Sequence, residues 1–146
     1  MRAPFQVLVI PFRCIGDDPE YFILRRSDTH YWQFVAGGGE DDETSLEAAE
    51  RETSEEIGSV AKHRLIPLDS MSTVPKDVFD AAEAWGDDVF VVPEHYFAVD
   101  VGDNQPELSA EHTEGKWVDY EKARELLNWD SNKNGLWELN QRLMKK

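Results

Sequence analysis

A chain of 146 residues with 40% hydrophobic side chains is long enough to bury a core and suits one globular domain spanning 1–146. Its 30 Asp and Glu against 15 Lys and Arg leave a formal net charge of −15, which argues against a nucleic-acid-binding surface, since that needs a basic footprint. The same acidity tolerates a small phosphate substrate where a bound cation inverts the local field.

Phe5 to Phe12 and Tyr21 to Leu24 are β-branched and aromatic runs separated by the turn formers Gly16-Asp17-Asp18-Pro19, and they read as a hairpin. The first run carries Gln6 and Pro11, is too short to cross a bilayer and has no small-residue cleavage site, so no membrane contact and a cytoplasmic location are expected. Cys14 is the one cysteine; it reads as a buried small hydrophobe in a reducing compartment. Trp32 to Ala36 predicts a short third strand, broken by Gly37-Gly38-Gly39, where the backbone can take positive φ and come close to another group in a tight loop. Thr44-Ser45-Leu46-Glu47 matches a capping box and Gly58 stands where a glycine stops a helix, so a helix is expected over Ser45 to Ile57. Leu46, Ala49, Thr53 and Ile57 form its packing stripe, while Glu52, Glu55 and Glu56 centre about 110° away.

Beyond the helix, Arg64 to Leu68 and His95 to Val101 read as strands, the second rich in aromatic and β-branched residues. Ser70 to Pro93 between them is irregular, with a short helix over Val78 to Trp85 and a turn at Gly86-Asp87-Asp88; long connections of this kind are often functional. Lys116 to Val118 predicts a last strand. Asp119 would cap a helix from Tyr120 to Leu127, and Leu136 to Met144 predicts a C-terminal helix with Leu136, Leu139 and Leu143 on one stripe. There is no repeat, low-complexity tract or dividing linker. His30, His63 and His95 lack a metal-ligand spacing and receive no role.

The chemistry is concentrated on the first helix. Glu52, Glu55 and Glu56 stand at relative i, i+3 and i+4, so three carboxylates crowd one face within a turn. Such a face is either a solvated acidic surface or, because like charges so placed repel, a clamp for a hard divalent cation that takes oxygen ligands. The surroundings decide between the two. Gly37, Glu43, Arg51, Glu52, Glu55, Glu56 and Gly58 have the spacing G-x5-E-x7-R-E-x-x-E-E-x-G, which resembles the Nudix box. Thr53 and Ser59 stand where that box has aliphatic residues, with Ile57 and Val60 beside them. The wider chain is similar to the branch of the family that hydrolyses dATP or dihydroneopterin triphosphate. That similarity runs through Arg25-Arg26-Ser27-Asp28, Tyr31-Trp32-Gln33, His95-Tyr96-Phe97, Ala110-Glu111-His112 and Lys116-Trp117-Val118.

The resemblance implies an α/β fold of Nudix type, a mixed β-sheet sandwiched between helices. It implies Mg²⁺-dependent hydrolysis of a nucleoside triphosphate-like substrate to a monophosphate and pyrophosphate, with Mn²⁺ as a substitute cation. The implied metal ligands are the Gly37 carbonyl, Glu52, Glu55, Glu56 and Glu111. The catalytic residues would be Glu55, Glu56, Glu111 and Arg51, with the identity of the base left open, and Arg51 would hold Glu43 or orient Glu52. Arg25, Arg26 and Trp32 would face the substrate, although Trp32 also suits the core, as Trp117 does. His112 reads as structural. Three alternatives stay open: hydrolysis of ADP-ribose, for which Pro75 speaks; hydrolysis of a dinucleoside polyphosphate; and a module that senses nucleotide without cleaving it. Homodimers are frequent in the family, so a homodimer is an open expectation.

Overall fold

In the chain's computed structural model residues 1–58 and 64–145 are described. Ser59 and Val60, tied above to the end of the first helix, and His63 lie outside the described residues. The sheet is built on β1 (Arg2–Ile15), which pairs antiparallel with β2 (Asp18–Arg26) and β4 (Val35–Glu40) and parallel with β6 (Val91–Asp100). Two-residue β3 (Trp32–Gln33) and β7 (His112–Val118) add to β2, and β5 (Leu65–Pro75) adds to β6. The path β3-β2-β1-β6-β5 with β4 and β7 beside it makes one mixed sheet of seven strands.

The unbroken apolar run of β1 follows from burial on both faces, which demands apolar side chains at odd and even positions alike. Val7 and Val9 join Ala48, Ala49 and Ile57 of α1 (Ser45–Ile57) in one core cluster. Leu8 and Ile10 join Ala123 of α2 (Tyr120–Leu126) and Leu136 and Leu139 of α3 (Asp130–Met144) in the other. The sheet is therefore sandwiched as expected, with α1 alone on the face that carries the acidic side chains.

Several expectations need correction. The triple glycine does not break the strand. It lies inside β4, Gly37 opposite Val7 and Gly38 opposite Gln6, and no residue of the three has positive φ. The expected close approach does hold: a Cβ at Gly37 would collide with the Glu52 carboxylate, at Gly38 with the Arg2 guanidinium, and at Gly39 with the Phe5 ring. Leu46 is 42% exposed, and Ala48 takes its place in the packing stripe. Cys14 is exposed, because it lies beyond the covered part of β1. Much of the segment taken as irregular is strand: β5 extends to Pro75 against β6, and only Lys76–Val78 and Asp80–Trp85 form 3-10 turns, not an α-helix. Helix α3 starts six residues before its apolar stripe, at Asp130, because Asn132 is buried there and its side-chain oxygen accepts the Phe34 N–H at 2.8 Å.

Candidate active site

The helix that carries the acids is fixed at both ends. Thr44 Oγ1 accepts the Glu47 N–H at 3.1 Å while Glu47 Oε1 accepts the Thr44 N–H at 2.9 Å, the reciprocal pairing of a capping box. Gly58 at φ +83 closes the other end, its N–H donating to the Ser54 carbonyl at 3.0 Å. Thr53, standing where an aliphatic residue was expected, is fully buried; its hydroxyl donates to the Ala49 carbonyl at 2.7 Å. That bond satisfies the hydroxyl within its own helix, so a threonine methyl can fill an apolar place.

Arg51 ties helix to sheet. Its Nε and one terminal nitrogen grip both Glu43 oxygens at 2.8 and 2.9 Å, the bidentate geometry a planar guanidinium allows. The same nitrogen donates to the Gly38 carbonyl at 2.8 Å, and the other reaches Glu52 Oε1 at 3.0 Å and Glu55 at 3.3 Å. Arg51 thus both holds Glu43 and orients Glu52. The hydrogen bond from Arg51 holds the Glu43 carboxyl below its usual range, and that to Glu43 raises the guanidinium further above its own. Glu43 also accepts the Glu40 N–H at 2.8 Å, closing the loop between β4 and α1.

Behind this surface ring lies a buried one. Glu52, its side chain 13% exposed, rests on Gly37, and burial raises its pKa. Glu56 is 1% exposed, and neither carboxylate oxygen has a hydrogen-bond partner. Burial first, then the adjoining Glu52 and Glu111, push it up to about 10. From the facing wall comes His112, whose side chain is fully buried with both ring nitrogens unbonded; its Nε2 stands 3.5 Å from Glu56 Oε1. Burial, and secondarily Arg26, push the imidazole down to about 4, so it is neutral at neutral pH. Glu56, Glu111 and His112 each place a ligand atom within 4.8 Å of the others.

Glu111 lies in the turn just before β7 and His112 opens that strand, next to a bulge. On β7 the pairing advances from His112 to Glu114 while β2 advances only from Arg26 to Arg25, which leaves Thr113 as the extra residue. Bulges of this kind re-aim side chains beside active sites.

The predicted residues fall into two groups. Gly37, Arg51, Glu52, Glu56 and Glu111 converge, and Glu55 sits on the rim with a side chain 56% exposed. Arg26 chelates Asp28 at 3.0 and 2.8 Å, while Arg25 donates to the His30 carbonyl at 3.1 Å and reaches Glu114 at 3.4 Å. Trp32 is half-buried against the α2/α3 core, with the Lys116 ammonium 4.9 Å from its ring centre. Trp117 packs edge-on against Phe22 at 5.2 Å and lies under Arg13. The sequence reading gave His112 a structural role; the signal for its place in the site was its adjacency to Glu111 in a run that otherwise matched.

A buried carboxylate without a donor, flanked by further carboxylates and a backbone carbonyl strand, fits a hard divalent cation, which supplies the positive charge those oxygens need. The comparisons agree with this geometry. The sequence model described as NUDIX domain matches residues 6–137. A NUDIX hydrolase structure from Listeria monocytogenes is 44% identical, with a TM-score of 0.87 over 97% of this chain and 94% of that one. The dihydroneopterin triphosphate diphosphatase of Escherichia coli (strain K12) is 28% identical over 138 residues, 92% of this chain and 91% of that protein. The RNA pyrophosphohydrolase of Bradyrhizobium sp. (strain ORS 278) is 30% identical over 135 residues, 82% and 77% of the two chains. Fold and site together define an α/β enzyme that hydrolyses phosphoanhydride bonds. The chain belongs to the Nudix family and is a pyrophosphohydrolase of the kind that acts on small nucleotides with a divalent metal.

Proposed function

We propose that the chain is a Mg²⁺-dependent pyrophosphohydrolase that converts a nucleoside triphosphate-like substrate, dATP or dihydroneopterin triphosphate, to the monophosphate and pyrophosphate. The observation that carries the metal assignment is Glu56: a buried carboxyl with both oxygens unbonded, next to Glu52 and facing Glu111. Glu52, Glu55, Glu56, Glu111 and the Gly37 carbonyl would hold the cation, with Mn²⁺ able to replace Mg²⁺. When bound, it neutralises charge on the diphosphate and makes a coordinated water more acidic. Arg51 acts as the positioning residue, keeping Glu52 turned inward through a brace that reaches Glu43 and the Gly38 carbonyl. The base is drawn from Glu55, Glu56 and Glu111. Exposed Glu111 is best placed to accept the proton of a water entering from solvent. Arg25 and Arg26 would meet phosphate oxygens, and Trp32 would offer a ring face for the base or pterin.

The relative acting on dihydroneopterin triphosphate supports this substrate class. The RNA pyrophosphohydrolase relative favours a second reading, the 5′ end of an RNA, against which stands the net charge of −15. A single domain, a cytoplasmic location and a homodimer accompany the proposal. Among the described residues no helix is long and apolar enough to cross a membrane.

The test incubates purified protein and Mg²⁺ with dATP, dihydroneopterin triphosphate, ADP-ribose, a diadenosine polyphosphate and a 5′-triphosphorylated RNA, with products identified. Pyrophosphate and a monophosphate from either of the first two are expected. Faster turnover of any of the other three would displace the substrate assignment, and turnover undiminished by a chelator would remove the metal.

A further inference from the structure

Every ligand assigned above is an oxygen, but the wall facing Glu56 carries an imidazole. His112 is the first residue of β7 and Glu111 belongs to the turn before it, so strand alternation does not hold the two neighbours on opposite faces, and both reach the same point. Its side chain is fully buried, and neither Nδ1 nor Nε2 has a hydrogen-bond partner. A buried histidine used only for packing normally gives one ring nitrogen to a carbonyl or carboxylate and so avoids leaving a polar group unmet. The Glu56 oxygen 3.5 Å from Nε2 does not supply that bond. Two donors on one cation, at bond lengths of about 2.1–2.3 Å, stand about 3.0–4.5 Å apart, and the spacing of Nε2 from Glu56 Oε1 falls in that range.

We propose that His112 is a nitrogen ligand in a mixed site with Glu56 and Glu111, and that it biases the enzyme towards Mn²⁺ or Co²⁺ over Mg²⁺. The proposal rests on the metal-binding reading of the preceding subsection and adds to it a donor type and a selectivity. Mg²⁺ prefers oxygen and keeps its waters, whereas a site that mixes nitrogen with oxygen donors gains affinity along the first transition row, beginning at Mn²⁺ and rising to Co²⁺. An imidazole at this position therefore strengthens binding of those ions selectively.

The experiment uses the whole chain loaded with Mn²⁺ alone. Electron spin-echo envelope modulation should show nitrogen coupled to the manganese, the pattern should change when the protein is grown with ¹⁵N-histidine, and it should vanish in His112→Gln. In parallel titrations His112→Gln and His112→Asn should bind Mn²⁺ about tenfold or more weakly and lose less than about threefold for Mg²⁺. Bound Mn²⁺ without nitrogen coupling in the wild type, coupling that survives in His112→Gln, or equal losses for the two ions would overturn the nitrogen ligand and leave the oxygen site standing. Failure of the wild type to bind Mn²⁺ at all would overturn the site itself. The wild-type spectrum decides the question even if both variants fold poorly, and thermal melts of the variants show whether they do.

Discussion

Glu56 joins two properties in one side chain: among the described residues it is the least exposed acid, and neither of its buried oxygens has a hydrogen-bond partner. Replacing it with Gln keeps the shape and removes the ability to ionise and ligate a cation. We expect Glu56→Gln to lower turnover by about a hundredfold or more, while its melting temperature in EDTA at pH 8 equals or exceeds that of the wild type; a markedly lower melting temperature would show that the carboxyl is structural. The pH dependence has a defined sign. In the folded chain Glu56 keeps its proton up to about 10, whereas its ordinary value is 4.5, so its contribution to stability is complete below 4.5 and declines as the pH rises towards 10. His112, lowered to about 4 from 6.5, acts at the other end: its contribution is complete above 6.5 and is lost as the pH falls towards 4. Metal-depleted protein should therefore melt at progressively lower temperature from pH 7 to pH 9, Glu56→Gln should flatten that slope, and Mg²⁺ should reduce it. At this scale the sequence was informative where charge and spacing carry the message, as for Arg51, Glu43 and Glu52. It read His112 only as structural, because its place beside Glu56 comes from a wall contributed by a strand fifty-odd residues away and from burial, neither of which leaves a local mark.

The first helix was legible to the residue, because capping is local chemistry: Thr44, Glu47 and Gly58 announce its ends without tertiary help. Thr44→Ala removes the cap acceptor and should cost about 1 kcal/mol, seen as a fall of about 3 °C in the melting temperature; no change would mean that the packing of Ala48, Ala49 and Ile57 holds the end alone. The strands were legible in kind but short in length, since β5 and β7 continue through polar residues held by backbone pairing to β6 and β2, and pairing is invisible in a single segment. The triple glycine was rightly read as a place of close approach but wrongly as a loop, for the same reason. Its meaning lies in what presses on it from Arg2, Phe5 and Glu52, not in its own backbone. Gly37→Ala should displace Glu52 and weaken Mn²⁺ binding by about tenfold in a direct titration; unchanged affinity would show that Glu52 has room to move.

Across the whole molecule, two hydrophobic layers hold a sheet whose α1 face concentrates negative charge in a chain already at −15. A cation that binds only the folded state relieves part of that repulsion and stabilises by mass action, by about 2.7 kcal/mol at a hundred times its dissociation constant. Titrating Mg²⁺ without substrate should raise the melting temperature by several degrees, and Glu56→Gln should remove most of the rise; a flat titration in the wild type contradicts the site. Strands and helices were readable from apolar and capping patterns, and the sandwich they form was implied by the resemblance to the Nudix family. Which strand neighbours which was not readable, because the parallel pairing of β1 with β6 joins segments more than eighty residues apart.

One consequence follows from how β4 lies against β1. Gly37 and Gly39 look towards the acidic helix and Gly38 looks away, each admitting a different side chain, so the strand works like a keyed shaft. A slip of one residue would turn the socket for Glu52 to the far side and present Ala36 and Gly38 instead. A molecule mispaired in this way during folding would retain nearly all of its secondary structure yet have no place for the carboxylate, and would be catalytically dead while looking native by circular dichroism.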